Sequence, residues 1–175
     1  VRDLACGPYA GKETGETALL RELLKHFSPG DVLVGDRYYI GWFMLALLQQ
    51  AQIDFVVRQH QRRETDFRRG ERLGVGDHVV EWPRPPRPEW MDEATYAAMP
   101  ATLQVREVQV PVSEPGFRVE TLVVVTSLLD AESHTAEEIG QLYRRRWLAE
   151  LDLRVLKSTL QLDVLRCQTP EMVRK

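Results

Sequence analysis

The sequence predicts an α/β fold on an at least partly parallel sheet, interrupted by a β-rich segment before a long helix. Three observations predict it. Apolar runs at 31–36 and 53–57 have the length and composition of buried strands, and helical patterns at 14–27 and 40–50 alternate with them. From 59 to about 130 the pattern changes to apolar–polar alternation broken by Pro and Gly, the mark of antiparallel hairpins. From 136 to 160 a helical pattern returns without a breaker.

Each element has its own signal. Residues 1–9 form a short apolar stretch ending in Gly7-Pro8, read as the tail of a strand. A helix starting at Thr14 or Gly15 carries Leu19, Leu20, Leu23, Leu24 and Phe27 at helical spacing, and Ser28-Pro29-Gly30 stops it. Strand 31–36 ends on Gly35-Asp36. Helix 40–50 holds Trp42, Phe43, Met44 and Leu47, read as core. Strand 53–57 follows. Residues 58–76 are polar and Arg-rich, 78–82 alternate as a strand, and 83–100 hold five prolines, so a loop with one helical turn at 92–98 is expected. Residues 103–112 alternate with one break. Residues 117–126 alternate too, with the turn Ser113-Glu114-Pro115-Gly116 between the two runs. Thr135 with Glu138 three residues on makes a capping box for the last helix. The organisation read from this is a core in two parts, 1–58 and 133–175, with an insertion at 59–132.

Composition narrows the functional classes. The 175 residues suffice for one domain with a sizeable core. No apolar run is long enough to span a bilayer. Cys6 and Cys167 have no ligand spacing, which argues against zinc and suits reduced thiols in a cytoplasmic protein. With no initiating Met and no stop signal at Arg174-Lys175, the sequence reads as part of something longer. The net charge of −3 argues against nonspecific coating of nucleic acid. Yet of 23 basic residues only Lys12, Lys25, Lys157 and Lys175 are lysine. The arginines, suited to bidentate phosphate contact, cluster at 58–72 and 144–154.

The last helix carries the chemistry. At about 100° per residue, Tyr143, Arg146, Glu150 and Lys157 fall within about 60° of arc, with Arg154 beside them. Apolar residues flank this stripe on both sides, so it predicts polar groups lining a cleft. The plainer reading is a row of surface ion pairs, since Arg146, Glu150 and Arg154 are four apart. Against it stands the wording of the segment, Y-x2-R-x3-E-x6-K over Tyr143, Arg146, Glu150 and Lys157, together with Gly35-Asp36-Arg37-Tyr38-Tyr39 at the end of a strand. Both resemble the motifs of the DDE insertion-sequence transposases known as the insertion-sequence-four family. The resemblance runs from Cys6-Gly7-Pro8-Tyr9 to the end of the chain.

That resemblance implies a ribonuclease H-like mixed sheet flanked by helices, with the β-rich insertion before the glutamate-bearing helix. It implies a DNA transposase catalytic domain that cuts and rejoins phosphodiester bonds. Asp36 and Glu150 would be catalytic metal ligands for two Mg2+ or Mn2+ ions, which prefer carboxylate oxygens. Tyr143, Arg146 and Lys157, with Arg154 beside them, would grip DNA phosphates near the transposon end. The partners implied are DNA, as inverted-repeat ends and target, and a second copy in a synaptic dimer. The expected place is the cytoplasm, nucleoid-associated when bound. The family's first aspartate lies on a strand upstream of this chain, so these residues alone are expected to be inactive. A remnant that binds DNA without cutting, and a nuclease that hydrolyses without joining, remain as alternatives.

Other residues read as structural. His26, His60, His78 and His134 show no ligand spacing. Trp82 and Trp90 flank the Pro-rich stretch, and packing is favoured over stacking on an unpaired base. The arginines of 58–72 fit contact with the DNA backbone at the base of the insertion and a solvated loop equally well.

Overall fold

The computed structural model describes residues 15–37, 41–60, 62–111 and 121–160. For Glu16, residues 147–154, 156, 157 and 160 the description stops at the backbone. The expected strand tail at 1–9, the turn at 113–116 and the segment after 160 lie outside these residues.

Among the described residues the elements are α1 (Glu16–Leu23), β1 (Val32–Gly35), α2 (Trp42–Gln50), β2 (Asp54–Arg58), β3 (Glu71–Gly74), β4 (Asp77–Pro83), α3 (Glu93–Ala98), β5 (Thr102–Pro111), β6 (Thr121–Thr126) and α4 (Ala136–Leu160). Six strands form one mixed sheet in the order β1-β2-β6-β5-β4-β3. β1 and β2 are parallel, joined by the crossover helix α2. All later pairs are antiparallel, and β6 hydrogen-bonds directly to β2, so the sheet continues without a gap.

Two apolar clusters cover the two faces. One joins α2 to Phe55 and Val57 of β2, Trp82 of β4, Leu103 and Val105 of β5 and Val125 of β6. The other joins Ile139 and Tyr143 of α4 to Val56, Val108, Val110 and Val124. Successive strand residues point to opposite faces, so Phe55, Val56 and Val57 serve both clusters in turn. α4 lies across β1, β2, β5 and β6. It approaches closely at Gly140, where an added Cβ would sit 3.1 Å from Val110 Cγ1.

Sequence and structure differ in two places. The expected helix over 14–27 ends at Leu23 and closes with a 3₁₀ turn over Leu24–His26. The Arg-rich segment hides β3, which turns into β4 through Gly76 at φ +66°. The capping box is present. Thr135 N–H and Oγ1 both donate to Glu138 Oε2, at 2.9 and 2.8 Å, and Glu138 N–H donates back to Thr135 Oγ1 at 3.3 Å. These bonds hold the Glu138 carboxyl below its ordinary pKa. Thr135→Ala is expected to cost about 1 kcal/mol of stability, measured by urea unfolding. An unchanged midpoint would show that the cap contributes nothing. Among the described residues no helix is long and apolar enough to cross a membrane.

A buried ion pair sits where both faces are covered. Arg106 Nε and Nη2 donate to Asp77 Oδ1 and Oδ2 at 2.8 and 2.6 Å. Arg106 Nη1 reaches the carbonyls of Leu128, Asp130 and His134, the last at 2.7 Å. One guanidinium thus ties β5 to β4 and to the loop that launches α4. On the opposite face, Glu107 accepts from the Trp82 indole at 2.9 Å and faces His78 Nε2 at 3.0 Å. His78 Nδ1 lies 2.7 Å from the Arg69 carbonyl, so this histidine is a satisfied core residue.

Candidate functional site

β1 and β2 run parallel with Gly35 opposite Val57, so Asp36 and Arg58 stand side by side at the carboxyl end of the sheet. That end is where open α/β sheets place their ligands. Asp36 is half-buried, and its Oδ1 accepts from the Arg37 N–H at 2.7 Å. The strand carries Asp36 there because β1 pairs with β2 while Val34 packs on the α4 side of the sheet and Leu33 on the α2 side.

α4 supplies the other side. Tyr143 is buried on its sheet-facing side, among Val56, Val108 and Val110. Burial pushes its hydroxyl above the ordinary tyrosine pKa; Arg146 opposes the rise, Asp36 adds to it, and a hydrogen bond with Arg146 and the charge of Arg58 oppose it again. A neighbourhood of one carboxylate, two guanidiniums and one phenol therefore joins β1, β2 and α4. Arg146 is half-buried, with Cζ 5.3 Å from the Tyr143 ring centroid.

The remaining residues singled out in the sequence lie further along the same helix. Glu150 is seven residues beyond Tyr143, about two turns and about 10 Å of rise, and Arg154 and Lys157 follow. Their backbones belong to α4, and their side chains lie outside the description. No group of three His, Cys, Asp or Glu side chains that could hold a metal ion occurs among the described residues. The donor chemistry nonetheless fits a hard divalent ion: Asp36 is a carboxylate at a half-buried strand end, beside the helix that carries Glu150.

Sequence reading alone passed over Arg58 as part of a solvated or DNA-facing loop. It is the last residue of β2, and its signal was the register of two parallel strands. Arg68 and Arg69 of the same cluster are engaged by Asp66, at 2.8 and 3.5 Å, and the Arg68 contacts draw the Asp66 carboxyl down to about 2. Trp82 packs in the core and Trp90 packs only in part. Trp82 is 8% exposed under Arg63, whereas Trp90 touches Phe43 edge-on beneath Arg21 but stays 37% exposed.

The architecture is an α/β domain with an acidic strand end facing an Arg-bearing helix. The chain belongs to the transposase DDE domain family, whose model matches residues 9–175. The mixed sheet with helices on both faces is the ribonuclease H-like architecture of that domain. Among similar curated proteins is the transposase InsG of insertion sequence element IS4 from Escherichia coli strain K12, 25% identical over 97% of this chain and 37% of that protein. The putative transposase InsL of element IS186A from the same strain is 38% identical over 30% of this chain and 14% of its own length. The transposase of element IS421 from Escherichia coli is likewise 38% identical over 30% of this chain and 14% of its own length. The chain thus spans little more than a third of the IS4 relative. No solved structure gives a significant match.

Proposed function

We propose that this chain carries part of the catalytic domain of a DNA transposase, whose activity is divalent-metal-dependent cleavage and strand transfer at the inverted-repeat ends of an insertion sequence, and that these residues alone do not cut. The observation that carries this reading is Asp36 at the carboxyl end of β1, flanked by Arg58 and faced by Tyr143 and Arg146 from α4. Asp36 and Glu150 are the metal-holding carboxylates, with a further aspartate expected upstream on the family pattern. Bound Mg2+ or Mn2+, as a pair, supplies Lewis acidity and lowers the pKa of the attacking water or 3′-hydroxyl.

The chain's own residues do the rest. The Arg146 guanidinium neutralises the phosphate under attack, which draws charge in the transition state. Tyr143 holds Arg146 by its hydroxyl, and burial pushes that hydroxyl above the ordinary tyrosine pKa. Arg154 and Lys157 extend the cationic stripe along the DNA backbone. In the first step water oxygen bonds to phosphorus, the P–O3′ bond breaks, and the departing 3′-oxygen takes up the proton that the water gives up, leaving a 3′-hydroxyl and a 5′-phosphate. In the second the freed 3′-hydroxyl attacks a target phosphodiester, and the displaced 3′-oxygen leaves with a proton. We assign 1–58 and 133–175 to the catalytic core, 59–132 to an insertion, and a synaptic dimer to the working state on nucleoid DNA.

The test is cleavage of end-labelled duplex bearing the element's ends by the intact protein. Cutting in Mg2+ or Mn2+ that stops with EDTA, and stops in Asp36→Asn while DNA binding persists, is the expected result. Binding without cutting in either metal would instead favour a remnant that has lost catalysis.

A further inference from the structure

The segment between β2 and β3 leaves the sheet at Arg58, beside Asp36, and carries Arg62, Arg63, Arg68 and Arg69. Much of its bonding is internal. The N–H groups of Arg62 and Arg63 donate to His60, the Thr65 hydroxyl donates to Gln59, and the N–H groups of Arg68 and Arg69 donate to Asp66. Trp82 and His78 tie it back to the sheet. The Arg63 guanidinium covers the Trp82 ring at 3.8 Å. The Arg69 carbonyl meets His78 Nδ1 at 2.7 Å, and the Phe67 ring lies 4.7 Å from the imidazole. Both anchors converge on Glu107. Its Oε1 accepts from the Trp82 indole, and its Oε2 stands 3.0 Å from His78 Nε2.

The partners of the imidazole fix how many protons the site holds. A carbonyl only accepts, so Nδ1 carries a proton. Nε2 faces a carboxyl oxygen, and a bond there needs a second proton, on the nitrogen or on the oxygen. The pair is complete only with both. If one proton leaves to water, the other cannot serve both sides. Glu107 is then a carboxylate, 3% exposed, and it draws the remaining proton to Nε2, because an unpaired buried charge costs more than an unmet carbonyl. Nδ1 is left with a lone pair against the Arg69 carbonyl, and that contact turns repulsive. The other groups facing the pair do not take over its proton. Arg72 stands opposite His78 on β3, Arg63 is attracted by Glu107 across Trp82, and the Arg69 guanidinium turns to Asp66 at 3.5 Å. On β6 Val125 stands opposite Glu107, and α2 has no ionisable residue. The Asp77–Arg106 pair lies on the other face of the sheet.

We propose that His78 and Glu107 form a proton-dependent latch. With both protons present it fastens the Arg-bearing segment to the sheet, and loss of one proton frees residues 67–70. The latch stands on the hydrogen bonds of His78 and does not depend on the transposase reading. Its consequence is regulatory: pH sets how firmly the segment that begins beside Asp36 is held.

The experiment is amide hydrogen exchange of the intact protein across pH, with rates corrected for the intrinsic pH dependence of exchange. The latched form holds one proton more than the released form, so latching weakens as pH rises. Protection of the amides of 67–70 is expected to fall about tenfold per pH unit once the released form has lost its proton. The amides of Val105 and Val108 in β5 should stay protected over the same range. Glu107→Gln is the discriminating variant. Its amide oxygen still accepts from Trp82, and its NH2 donates to a neutral imidazole that keeps its proton on Nδ1. Residues 67–70 should therefore stay protected in this variant, with no slope. A purely structural contact would give wild type and variant the same pH profile. A flat wild-type profile overturns the latch, and so does a Glu107→Gln profile that is sloped or unprotected. If β5 loses protection in parallel with 67–70, the event is global unfolding and there is no latch.

Discussion

Glu150→Gln in the intact protein is expected to stop DNA cleavage while leaving binding to DNA ends within a few-fold of wild type. The substitution keeps the volume and shape of the side chain and removes its charge. Hard divalent ions need carboxylate oxygens, and an amide oxygen is a weak replacement at a site of developing charge. The stabilisation a metal gives such a transition state is several kcal/mol, so loss of a ligand should lower the rate by about a thousandfold or more. Binding should survive because affinity for the duplex comes from cation–phosphate contacts, which the substitution leaves in place. Asp36→Asn should match it, and the double variant should be no worse than either single, since groups acting as a unit are not additive. The readout is single-turnover cleavage of labelled duplex beside a gel-shift titration. Cleavage by Glu150→Gln within a few-fold of wild type would remove Glu150 from the mechanism.

The parts of the fold visible in the sequence are those written as local periodicity. The parallel pair and its crossover helix follow from two short apolar runs around one apolar helix, and they are observed as β1, α2 and β2. The start of α4 follows from Thr135 and Glu138. What periodicity cannot carry is which strand end meets which helix turn. Tyr143 and Arg146 share a sector of the wheel, but only the tertiary packing brings Asp36 and Arg58 beneath that sector.

The break in the alternation of β5 shows the limit in detail. Four consecutive residues, Val105, Arg106, Glu107 and Val108, are buried. No residue is inserted, because the register against β4 and β6 runs through them without a shift. Instead the covered face changes. Leu103 and Val105 pack towards α2, and Val108 and Val110 pack towards α4. At the crossover both faces are covered, and the two side chains there are charged. In sequence they look like ordinary surface residues of a strand. β3 was hidden for a related reason: it is an edge strand with little apolar surface to declare it.

Arg106→Met is therefore expected to destabilise the protein by about 3–5 kcal/mol, the usual cost of stranding one member of a buried ion pair. Arg106 is 0% exposed and Asp77 5% exposed, so the remaining carboxylate would be left in an apolar setting without a counter-charge. The linear side chain of Met fills most of the space, which separates loss of charge from creation of a cavity. Adding Asp77→Leu removes the stranded carboxylate, and replacing a buried pair by apolar residues is often close to neutral. Here recovery should be incomplete. Arg106 also serves the carbonyls of Leu128, Asp130 and His134, and the second substitution gives those acceptors no new donor. These carbonyls belong to the loop immediately before Thr135, so the residual loss should appear as weaker protection of the first turns of α4 in hydrogen exchange. The measurement is a double-mutant cycle by urea unfolding, with exchange on the double variant. Full recovery of stability, with α4 protected as in wild type, would mean that Arg106 does no more than neutralise Asp77 and has no part in seating the helix that carries Glu150.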